Sequence, residues 1–380
     1  MAQKIPSIRF PGFTEPWEQR KLGDIVDVCS GRDYKHLSEG PIPVYGTGGY
    51  MTNVSEALEH KRDAVGIGRK GTIDSPYVLR APFWTVDTLF YCPPKDDVDL
   101  DLALCLFLNI NWRAKDESTG LPSLSKEAIR QTETFVPGYG EQRAVGALFS
   151  RLDSLIALHQ REHDRLIDVR TSLMQKMFPG PGEDTPQIRF SEFSGAWRVH
   201  KLGDLVTRYD HRVLTPNDGY TRLGVRSFAR GTFLEKVPAD QAIGETELRE
   251  VGANNLIVNI VFAWEQAIAI TSEPDTVALV SHRFPQFSFN EGQCPAFYRY
   301  ALLDPRFKHH LWLASPSGAG RNKTLRIDEM LDYEILVPDE SEQRAIARFF
   351  KNLDQSIEAR RCECDALVHA KSALLQKMFV

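Results

Sequence analysis

The chain repeats part of its own sequence, and that repeat limits its possible folds more than any other feature. IRFPGFTEPWEQRKLGD begins at Ile8 and IRFSEFSGAWRVHKLGD at Ile188, so Phe13/Phe193, Trp17/Trp197 and Asp24/Asp204 each lie 180 positions apart. A second pair closes each copy: VPGYGEQRAVGALFSRLDSLI from Val136 and VPDESEQRAIARFFKNLDQSI from Val337, offset by 201. The same offset carries Leu152-Asp153 onto Leu353-Asp354, and Gln175-Lys176-Met177-Phe178 onto Gln376-Lys377-Met378-Phe379. Ordered, colinear matches of this kind mean a tandem duplication, whose second copy has gained 21 residues, the difference between the offsets. Residues 25–135 and 205–336 align poorly with each other. One frame kept twice around two unlike inserts suits a protein presenting two recognition surfaces on one symmetric scaffold.

The closing segments read as long helices. Over residues 141–178 the only glycine is Gly146, and Val145, Leu148, Leu152, Leu155, Leu166, Val169 and Leu173 follow steps of three and four, interrupted at His159 and Glu162. Ile156, Ile167, Met174 and Met177 widen the stripe. Residues 342–379 repeat the pattern with Ile346, Phe349, Leu353, Leu367 and Leu374, flanked by Phe350, Ile357, Val368 and Leu375. At about 1.5 Å per residue each helix would span roughly 57 Å. A lone helix of that length exposes its stripe, so the two are expected to bury against each other as an antiparallel coiled coil. Pro179 to Pro186, PGPGEDTP, is the linker between copies.

Bulk properties exclude several classes. No run of about 18 apolar residues is present, and MAQKIPSIRFPGF lacks the apolar core of a signal peptide. The six cysteines form no C-x-x-C pair, which argues for reduced thiols in a cytoplasm and against a zinc or disulfide framework. A net charge of −5 excludes only a uniformly basic DNA-binder, because local basic patches can coexist with an acidic remainder.

Gly66-x-Gly68-x-x-Gly71 has the spacing of a dinucleotide-binding loop. Such a loop needs a strand before it and a helix starting within it. Ala64-Val65 is a minimal strand, and Thr72-Ile73-Asp74-Ser75-Pro76 disfavours a helix. A tight loop or hairpin is expected, with the glycines letting the chain turn. His159-Gln-Arg-Glu162-His163 spells an inverted zinc motif, but no third ligand is evident, so a polar notch in the helix pair is expected. His309-His310 lies in a basic stretch and is expected to face solvent or phosphate. Trp84 and Trp264 are expected in cores. Neither a Walker loop, a methyltransferase motif nor a nuclease cluster is visible, so no catalytic residue, metal or cofactor is assigned.

Local charge is more informative. Residues 306–327 carry Arg306, Lys308, Arg321, Lys323 and Arg326 with no acid, a local +5. Residues 205–231 carry Arg208, Arg212, Arg222, Arg226 and Arg230 against Asp210 and Asp218, and residues 61–80 carry Lys61, Arg62, Arg69, Lys70 and Arg80 against Asp63 and Asp74, each +3. Basic, glycine- or serine-punctuated loops in both inserts suit phosphate contact and guanine readout.

The two IRF…F…W…KLGD segments, the two EQRA…LD…I helices ending in QKMF and the unlike central blocks resemble specificity subunits of type I restriction–modification enzymes. Residues 40–50 (GPIPVYGTGGY), 66–72 (GIGRKGT) and 256–270 (LIVNIVFAWEQAIAI) are similar to stretches of that family's target-recognition domains. The resemblance covers essentially the whole chain and implies a mixed α+β fold. It implies a first target-recognition domain over 1–140, a spacer helix over 141–178, a linker over 179–187, a second recognition domain over 188–341 and a second spacer helix over 342–380. Each domain would read one half of a bipartite, asymmetric double-stranded DNA target, with the helices setting the gap. Two methyltransferase subunits, and restriction/translocase subunits through the complex, would be the partners. Catalysis would belong to them, and this chain would carry no cofactor.

The expected DNA contacts are Arg69, Lys70 and Thr72, with Tyr45, Gly46, Thr47 and Gly49 as a second loop, in the first insert. In the second they are Arg226, Arg230, Arg321 and Lys323. Glu141, Gln142, Arg143 and their counterparts Glu342, Gln343 and Arg344 either cap the helices or meet a partner. Two other readings stay open: a nucleotide-dependent enzyme using the Gly66 loop, and a repeat scaffold without DNA affinity.

Overall fold

The computed structural model describes residues 5–241, 247–316 and 323–380. The chain divides into two compact units, Met1–Glu162 with Arg360–Val380, and His163–Ala359. Each unit therefore holds one insert, the start of one long helix and the end of the other.

The first long helix runs Tyr139–Lys176 and the second Glu340–Met378. Both start two residues before the Glu-Gln-Arg triplets. The amides of Glu141 and Gln142 donate to Gly138 O, and those of Glu342 and Gln343 to Asp339 O. The partly or fully buried positions of the middle stretches include a run in steps of four and three: Leu152, Ile156, His159, His163, Leu166, Arg170 and Leu173 in one helix, and Leu353, Ile357, Arg360, Cys364, Leu367, Lys371 and Leu374 in the other. His159 and His163 continue the heptad rather than interrupt it. Leu155, Ile167, Val169 and Val368 lie outside this seam and are exposed. A helix facing a single partner covers a narrow stripe, not the wide one its composition suggests.

Pairing within each unit is antiparallel. In the first, Asp153 binds Lys371 at 2.5 Å and Glu162 lies 3.4 Å from Arg360. In the second, Asp354 binds Arg170 at 2.5 Å. Asp153 and Asp354 are repeat equivalents, and so are Arg170 and Lys371. The duplicated Leu-Asp pair is thus explained as an interhelical anchor.

The remaining repeated residues join the frame to the helices. Glu18–Lys21 pairs with Glu133–Val136 in one unit, and Arg198–Lys201 with Glu334–Val337 in the other, in the same register. Arg9 grips Glu141 with two 2.7 Å bonds, and Arg189 grips Glu342 identically. Glu141 and Glu342 are 2% exposed, so they neither cap nor face a partner. Gln142 and Gln343 are also buried. Each donates to a nearby proline carbonyl, Pro137 or Pro338, and accepts from the start of an insert helix, Asp99 N or Cys294 N. Arg143 and Arg344 are exposed.

The QKMF ends exchange units. Met177 and Phe178, from the first helix, pack in the second unit, where Phe178 lies 6.0 Å from Trp197 and 6.1 Å from Phe350. Met378 and Phe379, from the second helix, pack in the first unit, where Phe379 lies 5.6 Å from Trp17 and 5.9 Å from Phe149. Ile188 N donates to Lys176 O and Ile8 N to Lys377 O.

The inserts share a plan despite their dissimilar sequences. Each contains a four-stranded antiparallel sheet with one order of connection: Cys29–Ser30, Leu89–Cys92, Ala64–Gly68, Tyr77–Leu79 in the first unit, and Val206–Tyr209, Gln286–Phe289, Asn255–Val258, Ile268–Ile270 in the second. Beside it each has a hairpin flanked by a parallel strand. In the first unit the hairpin is Ile42–Gly46 with Gly49–Val54, and the parallel strand is Trp84–Thr85. In the second they are Tyr220–Val225 with Thr232–Val237, and Leu279–Val280. The extra residues of the second copy show in this second sheet, which adds Arg212–Leu214 and Glu247–Glu250 and becomes five-stranded. No described helix is long and apolar enough to cross a membrane.

Candidate nucleic-acid interface

In the first unit the expected contacts fall on two neighbouring loops. Tyr45 and Gly46 end one hairpin strand, Thr47-Gly48 turns, and Gly49, with φ of +104°, starts the next. The half-buried Tyr45 ring lies 6.4 Å from Tyr50 and 6.2 Å from Tyr77, and Tyr50 is 61% exposed. The Tyr77 hydroxyl donates to Gly46 O at 2.5 Å. Burial, then the neighbouring Tyr45, push its pKa well above the tyrosine range, so it remains a protonated donor.

Gly66 and Gly68 do not form a turn. Ala64–Gly68 is a fully buried strand in mid-sheet, with Gly66 paired to Tyr77 on one side and Tyr91 on the other. No helix follows. The strand, expected to stop at Val65, therefore runs through the motif, and its ladder occupies the backbone a pyrophosphate would need. Only Gly71 has a left-handed φ, +88°. Gly68 is required for another reason: a Cβ there would lie 1.9 Å from Thr72 O. A hairpin links Ala64–Gly68 to Tyr77–Leu79, and Arg69, Lys70 and Thr72 stand exposed on its connection.

That connection is tied down. Arg69 N donates to Thr88 O at 2.7 Å, its guanidinium reaches Asp87 O at 3.4 Å, and Leu124 N donates to Arg69 O. Lys70 bridges to Ser123, and Gly71 N donates to Pro122 O. Val86 N donates to Tyr45 O. The 85–88 turn therefore joins the hairpin end to the Arg69–Lys70 loop, bringing the two sets of expected residues together. Beside Arg69 and Lys70 opens a cavity of about 360 Å³ with Lys126, Ser125, Phe90 and Glu117 in its lining.

In the second unit Arg226 and Arg230 lie on the 226–231 loop, at the hairpin position equivalent to Thr47-Gly48. Arg226 N donates to Gly231 O, its guanidinium donates to Thr232 O, and it lies 5.0 Å from the Phe233 ring centre. Arg230 Nε donates to Ser227 O. Lys323 places Nζ 4.9 Å from the ring centre of Trp264 and 5.0 Å from that of Trp312. Arg321 lies outside the described residues.

Several expectations need correction here. Trp84 is in a core as expected, but Trp264 is only half buried and carries a cation on its face. His309 is exposed and stacked on Trp312, whereas the ring of the half-buried His310 lies 2.6 Å from Glu329 O. Nδ1 of His159 lies 3.3 Å from Glu363, and that of His163 lies 3.3 Å from Asp164.

Phe228 and Trp312 are absent from the sequence expectations, and Lys308 entered them only as one charge of the 306–327 stretch; all three are prominent in the structure. Phe228 is 54% and Trp312 49% exposed. Lys308 and Trp312 occupy one face of Pro305–Leu313, one turn apart, and Lys308 lies 5.0 Å from the Phe228 ring centre. The four-residue spacing of a lysine and a tryptophan was the legible signal. Phe228 and Ala229 are consecutive left-handed residues, with φ of 61° and 50°, at a cost of about 1–2 kcal/mol each.

A family model described as the type I restriction modification DNA specificity domain matches residues 14–167. The type I restriction enzyme MjaVIII specificity subunit of Methanocaldococcus jannaschii is 22% identical across 98% of this chain and 93% of that protein. A putative type I specificity subunit of Mycoplasma genitalium is 23% identical over 44% of the chain. The fold is similar to the crystal structure of a type I restriction–modification S subunit from M. genitalium, with a TM-score of 0.60, 14% identity and 99% of each chain covered. It is also similar to a chain from a study of assembly and conformational transition of a type I system, with a TM-score of 0.53, 13% identity and 98% of each chain covered.

Proposed function

We propose that the chain is a type I restriction–modification specificity subunit, as its similarity to that family supports, and that it reads a bipartite, asymmetric double-stranded DNA target, one half with each unit. The observation carrying this reading is the pairing of like frames with unlike loops. Each unit puts a hairpin end beside exposed cations, although the connection that carries Arg69 and Lys70 in the first unit carries Trp264 and no cation in the second. One rim is formed by Tyr45–Gly49 and Arg69–Lys70, the other by Arg226–Arg230 and Lys323. Equivalent placement of the hairpin ends suits two modules facing one duplex, and different side chains suit two different half-sites. The helix pair sets the gap between them.

The chain is a non-catalytic recognition subunit in this reading. Methyl transfer to a base needs that base out of the stack and in the pocket of a methyltransferase partner, and the matched helix starts suit two copies of one modification subunit. Restriction/translocase subunits join through the same complex. The nucleotide-dependent enzyme reading of the Gly66 loop is disfavoured by the buried strand running through it.

Mapping methylated adenines in the host genome with and without this gene tests the proposal. A split motif that disappears with the gene is expected, and an unchanged methylome overturns the reading. Arg69→Ala with Lys70→Ala is expected to abolish recognition of one half-site while leaving the thermal midpoint unchanged. Undiminished binding and methylation at both half-sites would remove these two residues from the interface.

A further inference from the structure

We propose that Phe228 is a wedge that enters the base stack of the half-site met by the second unit and opens one base-pair step there. The inference rests on the DNA-reading function and goes beyond it. It assigns a mode of contact, insertion between bases, to a residue with no hydrogen-bonding side chain.

Four observations carry it. The first is exposure: Phe228 is more than half exposed and belongs to none of the described apolar clusters, while its neighbour Ala229 packs against the core of its unit. The second is a backbone that holds the ring out. Phe228 N donates to Glu265 O and Ala229 N to Gln266 O, both at 2.8 Å, and Ser227 Oγ donates to Glu265 at 2.6 Å. Two successive left-handed non-glycine residues persist only where the surroundings over-determine them, and such sites concentrate where function requires a fixed projection.

The third is charge. The Arg230 guanidinium lies 5.7 Å and Lys308 Nζ 5.0 Å from the Phe228 ring centre. Both cations hold the ring in the free protein, and phosphates flanking an opened step would draw them off its faces. The ring would then exchange cation contact for base stacking. The fourth is location. The 226–231 loop occupies the hairpin position whose counterpart in the first unit is the two-residue Thr47-Gly48 turn, so only the second unit carries the longer loop.

Apolar wedges of this kind unstack and kink DNA, and a pyrimidine–purine step opens most easily. An opened step also lowers the cost of extruding an adjacent base.

The test uses the full chain, alone and assembled with its modification subunits. The probes are duplexes carrying the mapped target, each with a single 2-aminopurine scanned through the half-site. Wild type is expected to raise fluorescence at one step. F228G removes the ring and relieves the left-handed backbone, so its thermal midpoint should hold or rise. It should lose the fluorescence rise and bind about 5- to 150-fold more weakly, with the salt dependence of binding unchanged. F228W should restore the rise. Salt-dependent binding by wild type with no brightened step overturns the wedge and leaves the DNA reading intact. A rise retained in F228G also overturns it. Absence of any duplex binding at low salt overturns both readings.

Discussion

The two units differ least where they meet the helices and most at the rims of their inserts. Arg9–Glu141 and Arg189–Glu342 are equivalent pairs with the same 2.7 Å geometry, and Trp17–Phe379 and Trp197–Phe178 are equivalent aromatic contacts. At the rim the first unit has a two-residue turn with Tyr45 and Tyr50 and a basic connection. The second has a six-residue loop with Phe228 and a set of cation–aromatic contacts. Buried junctions tolerate little change, because each group there has a partner of fixed shape or charge. Exposed loop ends on a rigid sheet can differ freely. In the proposed DNA-reading role the junction would hold the frame together and the rim would discriminate the target.

The largest effects should be found at the junctions, and the comparison predicts that they are equal. Arg9→Ala leaves the Glu141 carboxylate buried without its counter-charge, and Arg189→Ala does the same to Glu342. Each is expected to cost about 3–5 kcal/mol in urea unfolding. Losses differing by more than about 2 kcal/mol would break the equivalence.

A second test exploits the exchanged helix ends. Phe379→Ala should cost about 3–5 kcal/mol and speed amide exchange in the first unit, around Trp17 and Phe149. Phe178→Ala should do so in the second, around Trp197 and Phe350. Destabilisation of the unit in which each helix begins would refute the exchange.

The smallest effect belongs to the strands found only in the second unit. Asp210 is held below the ordinary carboxylate range by Arg212 first and Arg249 next, which tie Arg212–Leu214 and Glu247–Glu250 together. A depressed pKa contributes stability above the unfolded-state value of about 3.9, and that contribution fades as pH falls through the folded value. Amide exchange in these two strands should therefore rise at acid pH, while Gly49–Val54 and Ile42–Gly46 of the first unit show no matching step.

Much of the candidate interface could be read from the sequence as charge, but not as geometry. Arg69 and Lys70 were legible because they interrupt a glycine-rich run with two cations. Their association with Tyr45 was not, because it depends on the 85–88 turn bonding to both. Phe228 was not legible, because an apolar residue between arginines carries no sign of its direction. Its exposure depends on the positive φ values and on the hydrogen bonds to the 265–266 backbone. Lys323 marked a basic stretch, whereas its position between Trp264 and Trp312 required three segments to converge.

Sequence alone determined the duplication, the two long helices, the linker and the unlike inserts. These are patterns of identity and spacing, and a 3.6-residue period or a fixed offset survives without coordinates. Only the tertiary structure decided that the two inserts share one sheet order, that Gly66 and Gly68 lie in a strand, and that each helix ends in the core of the other unit. Those features rest on hydrogen bonds and packing between residues distant in the chain. Many different side chains satisfy the same backbone ladder, so the shared plan left no matching letters behind.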